Sequence, residues 1–274
     1  MEATHQDQHI CKSCSNAFIK NYCNVCGERV QKPSDRSFRT FLNNILIAIT
    51  FADSKMIKTL WLVLTKPGFV SKEFSEGRTV NYLKPISLFF VLNLIYFFFP
   101  LIQLFSASLN TQLLSPLRGF YQQAVAHKIV DLGMTLSSFS IIYNLKTTSF
   151  AKLMVMVFVV IGSLPLNILY PKRNRFFTDH VGYMVELACF NLFVNAIVLT
   201  IFTSVFGLGR FLNEELLTII FIGSNLYFLL RSSYLFYGER NWRLFLKSIV
   251  MILFLKLALE IYRAILFFVT MWSL

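Results

Sequence analysis

Four cysteines near the start of the chain are spaced for metal chemistry. Cys11-Lys-Ser-Cys14 and Cys23-Asn-Val-Cys26 form a C-x2-C-x8-C-x2-C pattern. Each pair can fold into a tight knuckle whose two thiolates face one ion, and two knuckles complete a tetrahedral zinc site. Gly27 suits the turn that ends the second knuckle. Two disulfides are the first rival reading, disfavoured in a reducing compartment. A dithiol redox pair is the second, disfavoured because two pairs occur together. With all four ligands cysteine, no coordination position stays open, so the predicted zinc is structural and not catalytic. A head this small has little apolar core and is expected to be unfolded without its metal. His5 and His9 fall in a polar tail, and the cysteines already supply four ligands. Cys189 lies in an apolar segment and reads as a packed thiol.

A second set of candidates sits far down the chain. Lys256, Glu260 and Arg263 are spaced i, i+4 and i+7 within an apolar stretch, so one helix face carries all three. Isolated charge at a bilayer centre costs roughly 2.5–3.5 kcal/mol on insertion scales, so the three are expected to face a bundle or a wet cavity. They read either as a polar pathway or anionic-ligand site, or as a self-neutralising cluster that fixes helix packing. Asp179-His180 precedes another apolar stretch. There the residues read as a helix cap with an interfacial histidine. No nucleophile–base constellation and no Gly-rich phosphate loop is present.

The elements that must position these groups are membrane helices. Apolar residues make up 55% of the sequence and charged residues 15%, with 30 Phe in 274 residues, too little polar surface for a soluble chain. The net charge of +12 is distributed for a membrane flank: 12 of the 26 Lys and Arg lie in residues 1–85, with seven acidic residues. Basic residues interleaved with stacking aromatics are missing there, so nucleic-acid binding is not supported. The first thirty residues contain no apolar core of a secretory signal, which keeps the N-terminus on the synthesis side. The expected fold is an all-α polytopic integral membrane protein of about five transmembrane helices with a small N-terminal zinc ribbon.

Its divisions are a flexible tail (1–10), the ribbon (11–30), cytoplasmic amphipathic helices (31–85) and a membrane domain (86–274). Spans are expected near 86–105, 153–170, 184–206, 216–237 and 249–272. The amphipathic pattern occurs over 38–49 and again over 57–64, as surface helices or as helices packed on the bundle. Pro67 ends the second of these, Gly77 ends a short following turn, and Pro85 opens the first span. Residues 106–151 read as an outer loop with one amphipathic helix after Pro116 and only three Lys or Arg. The charge bias predicts a cytoplasmic N-terminus and an external C-terminus in an inner (plasma) membrane.

The stretch LTKPGFVSKEFSEGR (64–78) followed by NYLKPISLFF (81–90) carries a family resemblance. It resembles the membrane-approach motif of a bacterial membrane family known as domain-of-unknown-function family 3667. The paired CxxC motifs and Asp179-His180, after the Asn174-Arg175-Phe176-Phe177 turn, fit the same family, and the resemblance implies a metal or proton-transfer role for Asp179-His180. The resemblance runs from about Cys11 to Phe193. Members usually carry Gly after the first pair and Gln after Cys-Gly, where this chain has Ser15 and Glu28. They also often carry further His about two turns past the Asp-His pair, where this chain has Glu186 and Ala188, which weakens a histidine-cluster site. The family has no established activity, so the resemblance implies architecture.

The function expected from the residues is a non-enzymatic membrane adaptor or regulator, its zinc ribbon docking a protein partner and its helices held in the lipid bilayer. The alternative is a channel or transporter for a small ion or anionic solute along the Lys256–Glu260–Arg263 face. No internal repeat is visible to support an inverted-repeat transporter. A lipid-modifying enzyme near His180 is the third reading.

Overall fold

The structure is a computed structural model and describes residues 9–11, 14–19, 22–25, 54–78, 80–99, 105–115, 117–171, 176–205, 207 and 214–274. Cys26 and the amphipathic segment expected over 38–49 lie outside the described residues. The chain forms two compact units, Met1–Ser54 and Lys55–Leu274.

In the first unit, β1 (His9–Ile10) pairs antiparallel with β2 (Ala17–Phe18), in the register His9↔Phe18 and Ile10↔Ala17. The polar tail therefore ends earlier than residue 10, since His9 and Ile10 are a strand. Cys11, Phe18 and Cys23 form the small buried cluster of this hairpin.

The second unit is helical. Helix α1 (54–65) is followed by the Pro67-Gly68 turn and α2 (Phe69–Ser75). Gly77, at φ 82°, sits just past the end of α2, in the left-handed region that glycine enters without a Cβ penalty. Pro85 is the first residue of α3 (Pro85–Phe98), where its missing N–H costs nothing. Helices α4 (Leu109–Leu113), α5 (Arg118–Leu132) and α6 (Leu136–Leu169) come next. Helix α7 (Phe177–Asn191) runs through a π-helical segment (Leu192–Val198) into α8 (Leu199–Val205). The described chain ends with α9 (Glu214–Tyr237) and α10 (Asn241–Ser273).

Among the described residues, three helical segments are long and apolar enough to cross a membrane: Leu136–Leu169, Phe177–Thr203 and Leu216–Tyr237. Two of the five expected spans differ from expectation. The apolar run from residue 86 to 105 contains Pro100. The residue before a proline is pushed out of the helical region. Phe99 is accordingly extended (φ −101°, ψ 147°), and α3 stops at Phe98. Its 14 residues rise about 21 Å, short of the ~30 Å hydrocarbon core. Helix α10 has the length, at 33 residues, but its charges keep it out of the apolar set. A further difference is α6, which begins at Leu136 and not near 153. Thr135 caps it by accepting from the Ser138 N–H at 3.4 Å, so the stretch 136–151 of the expected outer loop is helix.

Helices α6 and α10 run antiparallel in contact. Lys247 Nζ lies 4.5 Å over the Tyr170 ring at one end, the Tyr262 hydroxyl donates to the Ala151 carbonyl (3.0 Å), and Lys146 donates to the Ser273 carbonyl (2.7 Å) at the other. Helices α7 and α9 are likewise antiparallel, and α2 packs against both. The main apolar core joins α3, α6, α7, α9 and α10 and includes Val63 and Val70. A second core of Leu109, Tyr121, Val125, Phe139, Tyr143, Phe267 and Met271 holds α4 and α5 against the far ends of α6 and α10.

Candidate functional site

The three described cysteines of the head converge. The Sγ atoms of Cys11, Cys14 and Cys23 lie within 4.8 Å of one another, and Cys14 and Cys23 are 3.5 Å apart. A disulfide would bring sulfurs to about 2.05 Å. Thiolates on a tetrahedral ion with bonds of about 2.3 Å stand about 3.8 Å apart. The observed separation fits ligation, so the cluster could hold a metal ion. The hairpin builds it locally: Cys11 N–H donates to Asn16 O and Ser15 N–H to Cys11 O, both at 2.9 Å. Ser15 has φ 58°, a left-handed position where a side chain is strained.

In the second unit the most deeply built polar site is one that sequence reasoning passed over. Glu186 on α7 is 1% exposed. Its Oε1 accepts from the Gly68 N–H (2.8 Å), and its Oε2 accepts from the Ser71 N–H (2.8 Å) and the Ser71 hydroxyl (2.5 Å). Gly68 is the residue before α2, so Glu186 fills the first-turn N–H groups that no helix satisfies internally. On the other side of the turn, Tyr227 of α9 donates its hydroxyl to the Leu64 carbonyl (3.0 Å) at the end of α1. The turn is thus clasped from α7 and from α9. Gly68 is required twice over. Its φ is 82°, and an added Cβ would lie 2.9 Å from Ser232 Cα and 2.8 Å from Ser232 Cβ. Only glycine lets the turn come this close to α9.

A polar layer continues from the clasp. The Tyr183 hydroxyl pairs with Ser232 Oγ (2.5 Å), and Tyr170 donates to Ser233 Oγ (3.1 Å). The Tyr170 and Tyr237 rings stack at 3.7 Å and 2°, and Lys247 donates to Glu239 at 2.7 Å. His180 belongs to this layer: it is buried, and its Nδ1 pairs with the Tyr237 hydroxyl at 2.7 Å. Asp179 stays at the surface end of α7, where its Oδ2 accepts the Phe176 N–H at 2.9 Å. Further along, Asn191 and Asn225 exchange two amide hydrogen bonds of 2.9 Å. Asn195, within the π segment, donates to Asn191 (2.8 Å) and Ser224 (3.1 Å). Buried polar groups on α7 therefore find partners on α2 or α9, as an apolar surround requires. Cys189 is buried, its sulfur 3.7 Å from the Pro85 carbonyl.

The charges of α10 are placed differently. Lys256 is exposed. Glu260 and Arg263 face a cleft of about 410 Å³ beside α4 and approach each other at only 3.6 Å. Arg263 Nε is buried without a partner.

No curated protein and no solved structure matches the chain. A family model does match residues 53–97, which hold α1, the clasped turn, α2 and most of α3, while the acceptor Glu186 lies beyond them. Over that region the chain is similar to the family described as protein of unknown function (DUF3667).

Proposed function

We propose that this protein is a non-enzymatic membrane adaptor or regulator, with a zinc-stabilised N-terminal head that docks a soluble partner. The observation that carries this reading is the convergence of Cys11, Cys14 and Cys23, with Cys26 as the fourth ligand by spacing. An all-thiolate site is closed, so its zinc would hold a surface and leave chemistry to others. The buried polar groups of α7 support the same reading, because they are spent on neighbouring helices and leave none aimed at a substrate. In this reading α10 and the short α3, which the bilayer meets by local thinning, join the three apolar segments as about five spans of an inner membrane, with the head on the cytoplasmic side and the C-terminus outside.

The test is quantitative affinity purification from native membranes, comparing wild type with Cys23→Ser/Cys26→Ser at matched abundance. The expected result is a soluble protein enriched with wild type and lost with the double variant. Partners that persist unchanged without the cysteines would remove the head from the function.

A further inference from the structure

The cleft beside α4 combines one guanidinium, one carboxyl and several neutral polar groups. Arg263 and Glu260 stand on α10, and Asn110, Thr111, Gln112 and Ser115 face them. Their pairing is loose: the nearest oxygen–nitrogen approach is 3.6 Å, against about 2.7–2.9 Å in a charge-assisted hydrogen bond. The side chain of Glu260 is 43% exposed and that of Arg263 23%. A cavity of about 410 Å³ falls within the size range of small-molecule sites. The arrangement offers a phosphate-matching fork and an amine-matching carboxyl on adjacent turns, with neither saturated by the other.

Helix rise gives the level of the cleft. The Tyr170–Lys247 contact marks one polar boundary of the bundle. Along α6, Lys152 is 170 − 152 = 18 residues away, about 27 Å; along α10, Arg263 is 263 − 247 = 16 residues away, about 24 Å. Both approach the far face of a ~30 Å hydrocarbon slab. Lys152 behaves as a boundary residue, donating to the Phe97 carbonyl (2.9 Å) where α3 ends. The cleft is therefore at headgroup depth in the leaflet opposite that boundary. Lys256 is exposed one turn deeper, and Leu257 and Ile261 are exposed beside it, a lane for acyl chains beneath a cationic stem that can rise toward a phosphate.

We propose that this cleft binds an amine-bearing zwitterionic phosphodiester, its phosphate on Arg263 and its primary ammonium on Glu260. The ligand chemistry is that of an ethanolamine phospholipid headgroup or of the free glycerophosphoethanolamine. A choline headgroup has no N–H to give Glu260, and a glycerol headgroup leaves Glu260 without its cation. The inference stands apart from the adaptor reading and does not depend on it.

The test uses the full-length chain, purified in detergent and stripped of lipid, with thermal shift and retention in native mass spectrometry as readouts. Added phosphatidylethanolamine is expected to stabilise the protein more than phosphatidylcholine or phosphatidylglycerol. Arg263→Gln is expected to weaken that binding roughly tenfold or more, the loss of a charge-assisted contact. Glu260→Gln is expected to bind the ethanolamine and choline lipids alike, and this arm stands if Arg263→Gln fails to fold. Glycerophosphoethanolamine that reproduces the shift and displaces the lipid identifies a soluble ligand; stabilisation by the lipid alone identifies a membrane one. Equal shifts from the three lipids with wild type, or a preference untouched by both variants, overturn the proposal.

Discussion

Two glutamates lie within apolar helices of the same bundle, and they are handled in opposite ways. Glu186 is enclosed, and its two oxygens accept three short hydrogen bonds from the Pro67-Gly68 turn and α2. Glu260 is open to a cleft and has one long contact with Arg263. The difference separates a carboxyl committed to holding backbone from a carboxyl with acceptor capacity to spare. It also shows how an irregular turn survives among helices, since backbone N–H groups away from water must be given acceptors. Glu186 supplies them from a position 118 residues away in the sequence.

Breaking each glutamate in turn tests that distinction. Glu186→Ala leaves the Gly68 N–H and the Ser71 N–H without an acceptor, while the Ser71 hydroxyl keeps the Gly182 carbonyl at 3.2 Å. Each buried unpaired group costs about 1–3 kcal/mol, so a loss of about 2 kcal/mol or more is expected. Glu260→Ala removes a partly exposed pair and is expected to cost under about 1 kcal/mol. Thermal unfolding in lipid-free detergent measures both. Equal losses would erase the comparison.

Gly68→Ala attacks the same clasp from the other partner. A left-handed alanine costs about 1–2 kcal/mol, and the new Cβ also meets the Ser232 backbone, which cannot move aside as a flexible side chain would. The expected loss is about 2 kcal/mol, with faster tryptic cleavage after Lys72. Because both substitutions dismantle one turn, Gly68→Ala combined with Glu186→Ala should cost less than the sum of the two. Simple additivity would mean that Glu186 and Gly68 do not act together.

The sequence made the turns legible and the tertiary partners illegible. Pro67, Gly77 and Pro85 each mark a local backbone requirement, and each stands at the predicted break. The cysteine spacing announced the three converging thiols in the same way, and Ser15 stands at a left-handed position that glycine would take without strain. Pro100 was an available signal for the end of α3, outweighed by the hydrophobicity around it. The length of α6 was hidden because the Ser, Thr and Lys residues over 137–149 read as loop, although a helix can turn such groups outward at one end of a bundle. Glu186 carried no local sign of its role: a lone acid in an apolar run announces a partner without naming it. The pairings of Tyr183 with Ser232, His180 with Tyr237 and Asn191 with Asn225 are set by the antiparallel register of α7 and α9, which no short motif encodes.

A third carboxylate extends the comparison to its weakest member. Glu73, near the end of α2, accepts from Arg78 Nε (2.9 Å) and Nη2 (2.6 Å), while Arg78 also bonds Glu76. The hydrogen bonds from Arg78 hold the Glu73 carboxyl below its ordinary range, against an opposing contribution from burial. A depressed carboxylate contributes stability above the unfolded-state pKa, about 4.3, and that contribution fades as the pH falls through the lower folded value. The guanidinium of Arg78 is 55% exposed, so water and salt screen the pair and the effect is expected to be the smallest of the series. Arg78→Ala should flatten the acid limb of the thermal-stability profile slightly, and high salt should flatten the wild-type limb in the same way. Neither change should touch the clasp, because Glu186 is shielded from both solvent and salt. An Arg78→Ala loss as large as that of Glu186→Ala would show that α2 is held mainly from its exposed end, and that burial is not what ranks the three carboxylates.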